Sequence, residues 1–153
     1  QKMESRSLMD ASHLKDCQTG EELFREILNT YKGKIVYLDV WGVWCTPCKQ
    51  QMQYVPFVKQ AMKGKDVVFL YLANNSPDVS WKNTIKEYKL LGEQVVHYNL
   101  PAKQQEQLEE YLQVKHYPTY ILIDRKGNIV DRNPPRPKSQ EKLVDYLNDW
   151  LEK

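Results

Sequence analysis

Lys34-Ile35-Val36-Tyr37-Leu38-Asp39-Val40-Trp41-Gly42-Val43-Trp44-Cys45-Thr46-Pro47-Cys48-Lys49 is the stretch on which the reading of this chain turns. Its first half is apolar and rich in β-branched and aromatic residues, which predicts a buried strand over 34–41. Its second half opens a helix. Pro47 suits a first helical turn, because the N–H it lacks has no partner there in any case. Between the two lies a Cys45-Thr46-Pro47-Cys48 turn. Thiols spaced this way can close a disulfide with each other. At a helix mouth, unpaired N–H groups and the positive dipole end favour a thiolate. Cys45 is therefore the expected attacking sulfur. Cys48, one turn inward, is the expected resolving sulfur of a thiol–disulfide exchange.

Outward from this segment, the hydrophobic pattern alternates between helix and strand. Leu23, Phe24, Ile27, Leu28 and Tyr31 share one face of a predicted helix over 21–31, which Gly33 ends. The helix opened by Pro47 is expected to run to about Lys63, before Gly64. Asp66 to Ala73 reads as a buried strand, and 79–91 as a helix carrying Trp81, Ile85 and Tyr88. A short strand over 94–98 follows, then a helix over 103–113. Two strands, 119–124 and 128–132, flank Lys126-Gly127 in a hairpin pattern. A proline-rich connector, 133–137, leads to a closing helix from about Ser139. Strand–helix–strand units imply parallel pairing, and the hairpin implies antiparallel neighbours. The expected fold class is α/β: a mixed central sheet with helices on both faces. Residues 1–18 are polar and aperiodic and read as an extension or linker, leaving 19–153 as the domain.

Composition narrows the function classes. The chain has 153 residues, 41% hydrophobic and 27% charged, which fits one ordinary domain with a real core. A net charge of +2 is too small to argue for nucleic acid or an anionic membrane as partner. No apolar run approaches the ~18 residues of a membrane span. No apolar leader is visible at Gln1, and a chain starting with Gln is expected to be processed. Three cysteines are too few for a disulfide-stapled scaffold, which leaves the Cys45/Cys48 pair free for chemistry.

The pair has rival readings. A structural zinc site needs a second pair of ligands at compact spacing, yet Cys17, His13, His97 and His116 are scattered. Haem attachment needs a histidine after Cys48, where Lys49 stands. No metal is therefore expected, and no cofactor beyond the redox-active disulfide. Asp39 interrupts the apolar run although aspartate is disfavoured in strands. It is either a hydrogen-bonded or solvated carboxylate, or a desolvated one beneath the pair. A desolvated carboxylate favours its protonated form and can relay a proton to or from Cys48. Trp41 reads as core. Trp44, directly before Cys45, is expected to border the sulfur. Lys49 and His116 read as surface, and Cys17 as a small buried hydrophobe or a spare thiol.

The segment from Tyr37 to Lys49 resembles the active-site segment of the thioredoxin superfamily. Tyr117-Pro118-Thr119 before a hairpin resembles that family's cis-proline segment. The added strand–helix material between them is similar to that of TlpA/ResA-like extracytoplasmic thiol–disulfide oxidoreductases. The resemblance implies a thioredoxin-like fold with an inserted strand–helix element. It implies Cys45, Cys48 and Asp39 as catalytic residues, with Trp44, Thr46, Pro47, Tyr117 and Pro118 as the substrate-binding surface. X–Pro bonds are mostly trans in folded proteins, whereas the resemblance implies cis at Pro118. It further implies disulfide-containing or dithiol protein substrates, an upstream thiol–disulfide electron donor, an extracytoplasmic location and action as a reductase. An oxidase or isomerase of the same fold is one alternative. A non-catalytic partner-binding module with a structural disulfide is another. One departure stands out: the family's helix proline, five residues after the second cysteine, is replaced by Gln53, with Pro56 three residues on. The bend is then expected about a turn later. Substrate identity, reduction potential and oligomeric state have no signature in the sequence.

Overall fold

A computed structural model describes residues 6–153. A five-stranded mixed sheet, ordered β3-β2-β1-β4-β5, forms the centre. Its strands are β1 (Ile35–Trp41), β2 (Val67–Ala73), β3 (Val95–Tyr98), β4 (Thr119–Ile123) and β5 (Ile129–Asp131). β1 pairs parallel with β2 and antiparallel with β4, β2 pairs parallel with β3, and β4 pairs antiparallel with β5. Both parallel pairs are joined by helical crossovers, as such pairs require. β1 and β2 are buried along their whole length, which explains their near-continuous apolar sequences.

Alternation along β1 sorts the core into two layers. Ile35, Tyr37 and Trp41 face one layer, shared with Cys45 and Cys48. Val36, Leu38 and Val40 face the other. The first layer is closed by α2 (Thr46–Met52), α3 (Val55–Ala61), α4 (Asp78–Glu87) and α6 (Glu141–Leu151). The second is closed by α1 (Gly20–Asn29) and α5 (Ala102–Leu112). α1 and α5 lie against each other at Gly20, where an added Cβ would run into the Gln107 carbonyl and the Tyr111 Cβ. The mixed sheet with helices on both faces is the thioredoxin-like arrangement the sequence implies.

One element differs from the sequence reading. The helix expected to run from Thr46 to Lys63 is two helices, broken at Gln53 and Tyr54. Pro56 causes the break. It has no N–H to give Met52, and its ring would collide with that carbonyl, so the first helix ends there. Pro56 sits instead in the first turn of α3, where proline is tolerated. The bend thus lies at residue 53 itself rather than a turn later.

Of residues 1–18, the first five lie outside the described residues. The rest are docked on the domain. Leu8 forms a parallel bridge with His97 on the β3 edge, and Met9 N–H donates to the His97 carbonyl at 2.9 Å. Ser7 Oγ donates to the Gly92 carbonyl at 2.9 Å, and Leu14, in a short 3₁₀ turn, is fully buried in the second core layer. This segment covers a strand edge that would otherwise present unpaired backbone groups.

Candidate active site

Cys45 and Cys48 form a disulfide at the carboxyl end of β1. Cys45 is the N-cap of α2, and its Sγ accepts the Cys48 backbone N–H at 3.2 Å. That is where a thiolate on Cys45 would find a donor and the positive end of the helix. α2 is short because Pro56 ends it, so this N–H contact and the turn itself carry the local effect. Pro47 occupies the first helical turn, and Thr46 and Pro47 are exposed beside the pair. Cys45 is 3% exposed and Cys48 1%. Cys48, one turn inward, is the less exposed of the two by a small margin, and both are buried in the oxidised pair. What separates the two sulfurs is position: Cys45 lies at the helix mouth, and Cys48 lies within the first turn.

Two aromatic rings meet beside this turn, that of Trp44, which directly precedes Cys45, and that of Tyr117. Trp44 is 49% exposed and stands edge-on to Tyr117, with ring centroids 5.1 Å apart. Trp44 Nε1 donates to the Asn74 carbonyl at 3.0 Å, so the indole is held although half of it faces solvent. Gly42 makes room for that indole, since an added Cβ would overlap its nitrogen. The Tyr117–Pro118 peptide bond is cis. Thr119 Oγ1 donates to the His116 carbonyl at 2.5 Å, closing the turn before β4. His116 serves this turn through its backbone, and its ring nitrogen meets the Pro118 carbonyl at 3.2 Å.

Asp39 lies in the core layer of the disulfide. It is 2% exposed, and its Oδ1 has no hydrogen-bond partner. Its register neighbours are Tyr71 on β2 and Tyr120 on β4. Burial lifts its pKa well above the ordinary carboxylate range, against the opposing pull of Arg136 and Tyr120. The same burial and the charge of Asp39 raise the Tyr71 and Tyr120 phenols. The connector before α6 roofs this chamber. Tyr37 donates its hydroxyl to the Pro135 carbonyl at 2.8 Å, and the Arg136 guanidinium lies 5.7 Å from the Tyr120 ring centroid. Gln51 of α2 accepts the Lys138 backbone N–H at 2.9 Å, tying the roof to the helix that bears the cysteines.

The fold thus brings together Cys45, Cys48, Trp44, Thr46 and Pro47 in one turn, with Tyr117 and Pro118 beside it through the Trp44 ring. Asp39 lies in the strand below. Cys17 stands apart, half-buried at the start of α1. Burial, and then the nearby carboxylates of Glu22, Glu26 and Asp16, raise its thiol pKa. Sequence reading missed Arg136, Asn74 and Glu109. Asn74 opens a run of turn-forming residues, Asn74-Asn75-Ser76-Pro77, that carries no mark of a site. Glu109 sits in a polar helical stretch that reads as a solvated face.

A thioredoxin-like family model matches residues 33–129. The chain is 32% identical over 120 residues to the thiol-disulfide oxidoreductase ResA of Bacillus thuringiensis, covering 78% of this chain and 65% of that protein. It is 26% identical over 121 residues to ResA of Bacillus subtilis, covering 79% of this chain and 64% of the relative. The chain therefore spans just under two thirds of the length of these relatives. The thioredoxin domain of a thiol-disulfide oxidoreductase from Bacteroides vulgatus superposes with a TM-score of 0.70 at 24% identity, over 81% of this chain and 84% of that one. That likeness concerns the fold.

Proposed function

The chain belongs to the thioredoxin-like family, and from that premise we propose that it is a thiol–disulfide oxidoreductase that reduces disulfides in protein substrates. The observation that carries the reading is the Cys45–Cys48 disulfide at the helix mouth, with Cys45 Sγ accepting the Cys48 N–H. In the reduced protein the Cys45 thiolate attacks one sulfur of a substrate disulfide. The S–S bond breaks, one substrate sulfur leaves as a thiolate, and a mixed disulfide forms through Cys45. Cys48 then loses its proton and attacks Cys45 Sγ. The second substrate sulfur leaves as a thiolate, and the Cys45–Cys48 disulfide closes. Two electrons pass to the substrate, and its two thiolates take up protons.

Asp39 supports the second step. A buried carboxylate with a raised pKa is a stronger base than one in water, suited to taking the Cys48 proton when it is ionised. Trp44 and the partly exposed Tyr117 before the buried cis Pro118 form the docking surface, where an extended substrate segment can pair with the Tyr117 backbone. The electrons are carried by the two cysteines alone, and Asp39 assists the proton transfer. A separate dithiol donor must return the pair to the reduced form, since each turnover leaves it oxidised. An extracytoplasmic setting fits the kinship with ResA-type proteins.

Titration of the pair against graded dithiol buffers, read by thiol alkylation and mass, tests this. A pair that opens and closes reversibly and passes electrons to a protein disulfide supports the proposal. A pair that resists strong dithiols is a structural crosslink, and the module then binds partners without catalysis. A potential at the oxidising end of the known range assigns an oxidase instead.

A further inference from the structure

Glu109 on α5 is a buried carboxylate beside the disulfide site, 9% exposed. Its Oε2 accepts from Asn74 Nδ2 at 2.8 Å and from Gln105 Nε2 at 2.9 Å. Its Oε1 accepts from the Tyr117 hydroxyl. All three bonds are donated to it, so both carboxyl oxygens act as acceptors. Amide and phenol donors ease its burial but bring no charge. No ion pair among the described residues involves it. Buried charges are ordinarily paired.

Gln105 makes an independent point. It is 2% exposed, gives its amide N–H to Glu109, and leaves its own Oε1 without a partner. Both residues line an open cleft together with Asn74, Asn99, Glu106 and Tyr117. Among the described residues, no lysine or arginine lines this cleft. It is rich in acceptors, holds two carboxylates, and is separated from the disulfide by the Trp44–Tyr117 pair. Tyr117 belongs to both places: its ring faces Trp44 and its hydroxyl enters the cleft.

We propose that this cleft is a subsite for a cationic side chain, lysine or arginine, lying within a few residues of the target cysteine in the substrate. The inference rests on the proposed thiol–disulfide reading and adds a substrate preference to it. An extended segment laid along Tyr117 and Pro118 with its cysteine over Cys45 sends a neighbouring side chain past the Tyr117 ring. A cation arriving there meets a carboxylate already desolvated and held in place, where a charge-assisted bond is strong. Glu106 at the exposed rim adds long-range attraction.

The test uses the full chain and synthetic peptide disulfides that differ only in one residue near the cysteine: lysine, alanine or glutamate, scanned over two positions on each side. At low salt, kcat/KM for reduction of the lysine peptide is expected about tenfold above that of the alanine peptide, which corresponds to the ~1.4 kcal/mol of a charge-assisted contact. The glutamate peptide is expected below both, and added salt should narrow the spread. In Glu109→Gln the lysine-to-alanine ratio should fall towards one, and in Glu106→Gln it should fall partway. Equal rates for the three peptides overturn the proposal. So does a Glu109→Gln variant that slows all three by the same factor, because Glu109 then only holds Tyr117. If that variant fails to fold, the salt dependence and the glutamate peptide still decide the matter with the unaltered protein. If no peptide is reduced at all, the thiol–disulfide reading itself fails.

Discussion

Asp39 stands directly across β1 and β4 from Tyr120, its antiparallel register partner, with Tyr71 opposite on the parallel side. A carboxylate between two phenols in a dry layer holds its proton tightly. Its raised pKa makes its contribution to stability full below the unfolded value of 3.8, and lost as pH rises through the folded pKa. Asp39→Asn, which keeps the shape and removes the charge, is therefore expected to be more stable than the native protein at pH 8. The expected gain is largest at high pH and shrinks towards pH 4, because only the ionised carboxylate is penalised by burial. Urea midpoints across that range check the sign. A gap that widens in acid contradicts it.

The same substitution removes the base assigned to the resolving step. In Asp39→Asn, release of substrate from the mixed disulfide should slow about tenfold or more near neutral pH. Attack by Cys45 should change less. Rapid-quench alkylation separates the two steps, and equal slowing of both would assign Asp39 to the site as a whole.

His97 gives the opposite slope. It is fully buried, stacked on Tyr71 at 4.7 Å, with Nε2 on the Leu90 carbonyl at 2.6 Å and Nδ1 without a partner. Burial, with Lys59 nearby, lowers its pKa from 6.5 to about 4 despite the Leu90 bond. Between those values the unfolded chain binds the proton and the folded one does not, so stability falls as pH drops from 6.5 towards 4. The loss attributable to this group is about 3 kcal/mol at most. His97→Gln should flatten that part of the stability–pH curve. An unchanged slope would exclude His97 as its source.

Gly20 tests the close contact between α1 and α5. A Cβ there would strike the Gln107 carbonyl and approach Tyr111 Cβ at 2.7 Å, so the helices must separate. Gly20→Ala is expected to cost about 2 kcal/mol, as overpacking does elsewhere, despite alanine's better helix propensity. Denaturant melts of the two proteins decide it, and a stabilised variant would show that the helices yield easily.

Local pattern sufficed wherever local physics decides. The period of two along Ile35 to Trp41 sorts the core layers and puts Asp39 on the disulfide side, a pattern readable from the strand alone. Gly127, with φ +85°, marked the hairpin in which Asp124 Oδ1 caps Lys126 and Asn128 N–H at 2.9 Å each. The helix break was harder. Pro56 was visible, but whether proline kinks a helix or starts a new one depends on the packing of Val55 and Val58 against the sheet. The docking of Leu8 on the β3 edge pairs residues far apart in sequence and leaves no periodic trace. Glu109 was illegible for a related reason. In Gln104-Gln105-Glu106-Gln107-Leu108-Glu109 nothing distinguishes the buried carboxylate from the exposed one; only the arrival of Asn74 and Tyr117 from other elements does.

The most direct measurement is capture of the mixed disulfide. With Cys48→Ser the resolving sulfur is gone, so mixing the reduced variant with a disulfide-bonded protein should accumulate a covalent adduct through Cys45, released by a small thiol and located by mass spectrometry. Cys45→Ser should accumulate little. Adducts through Cys48 in the Cys45→Ser variant, with none in Cys48→Ser, would reverse the assigned roles. Absence of adducts from both would contradict disulfide exchange at this site.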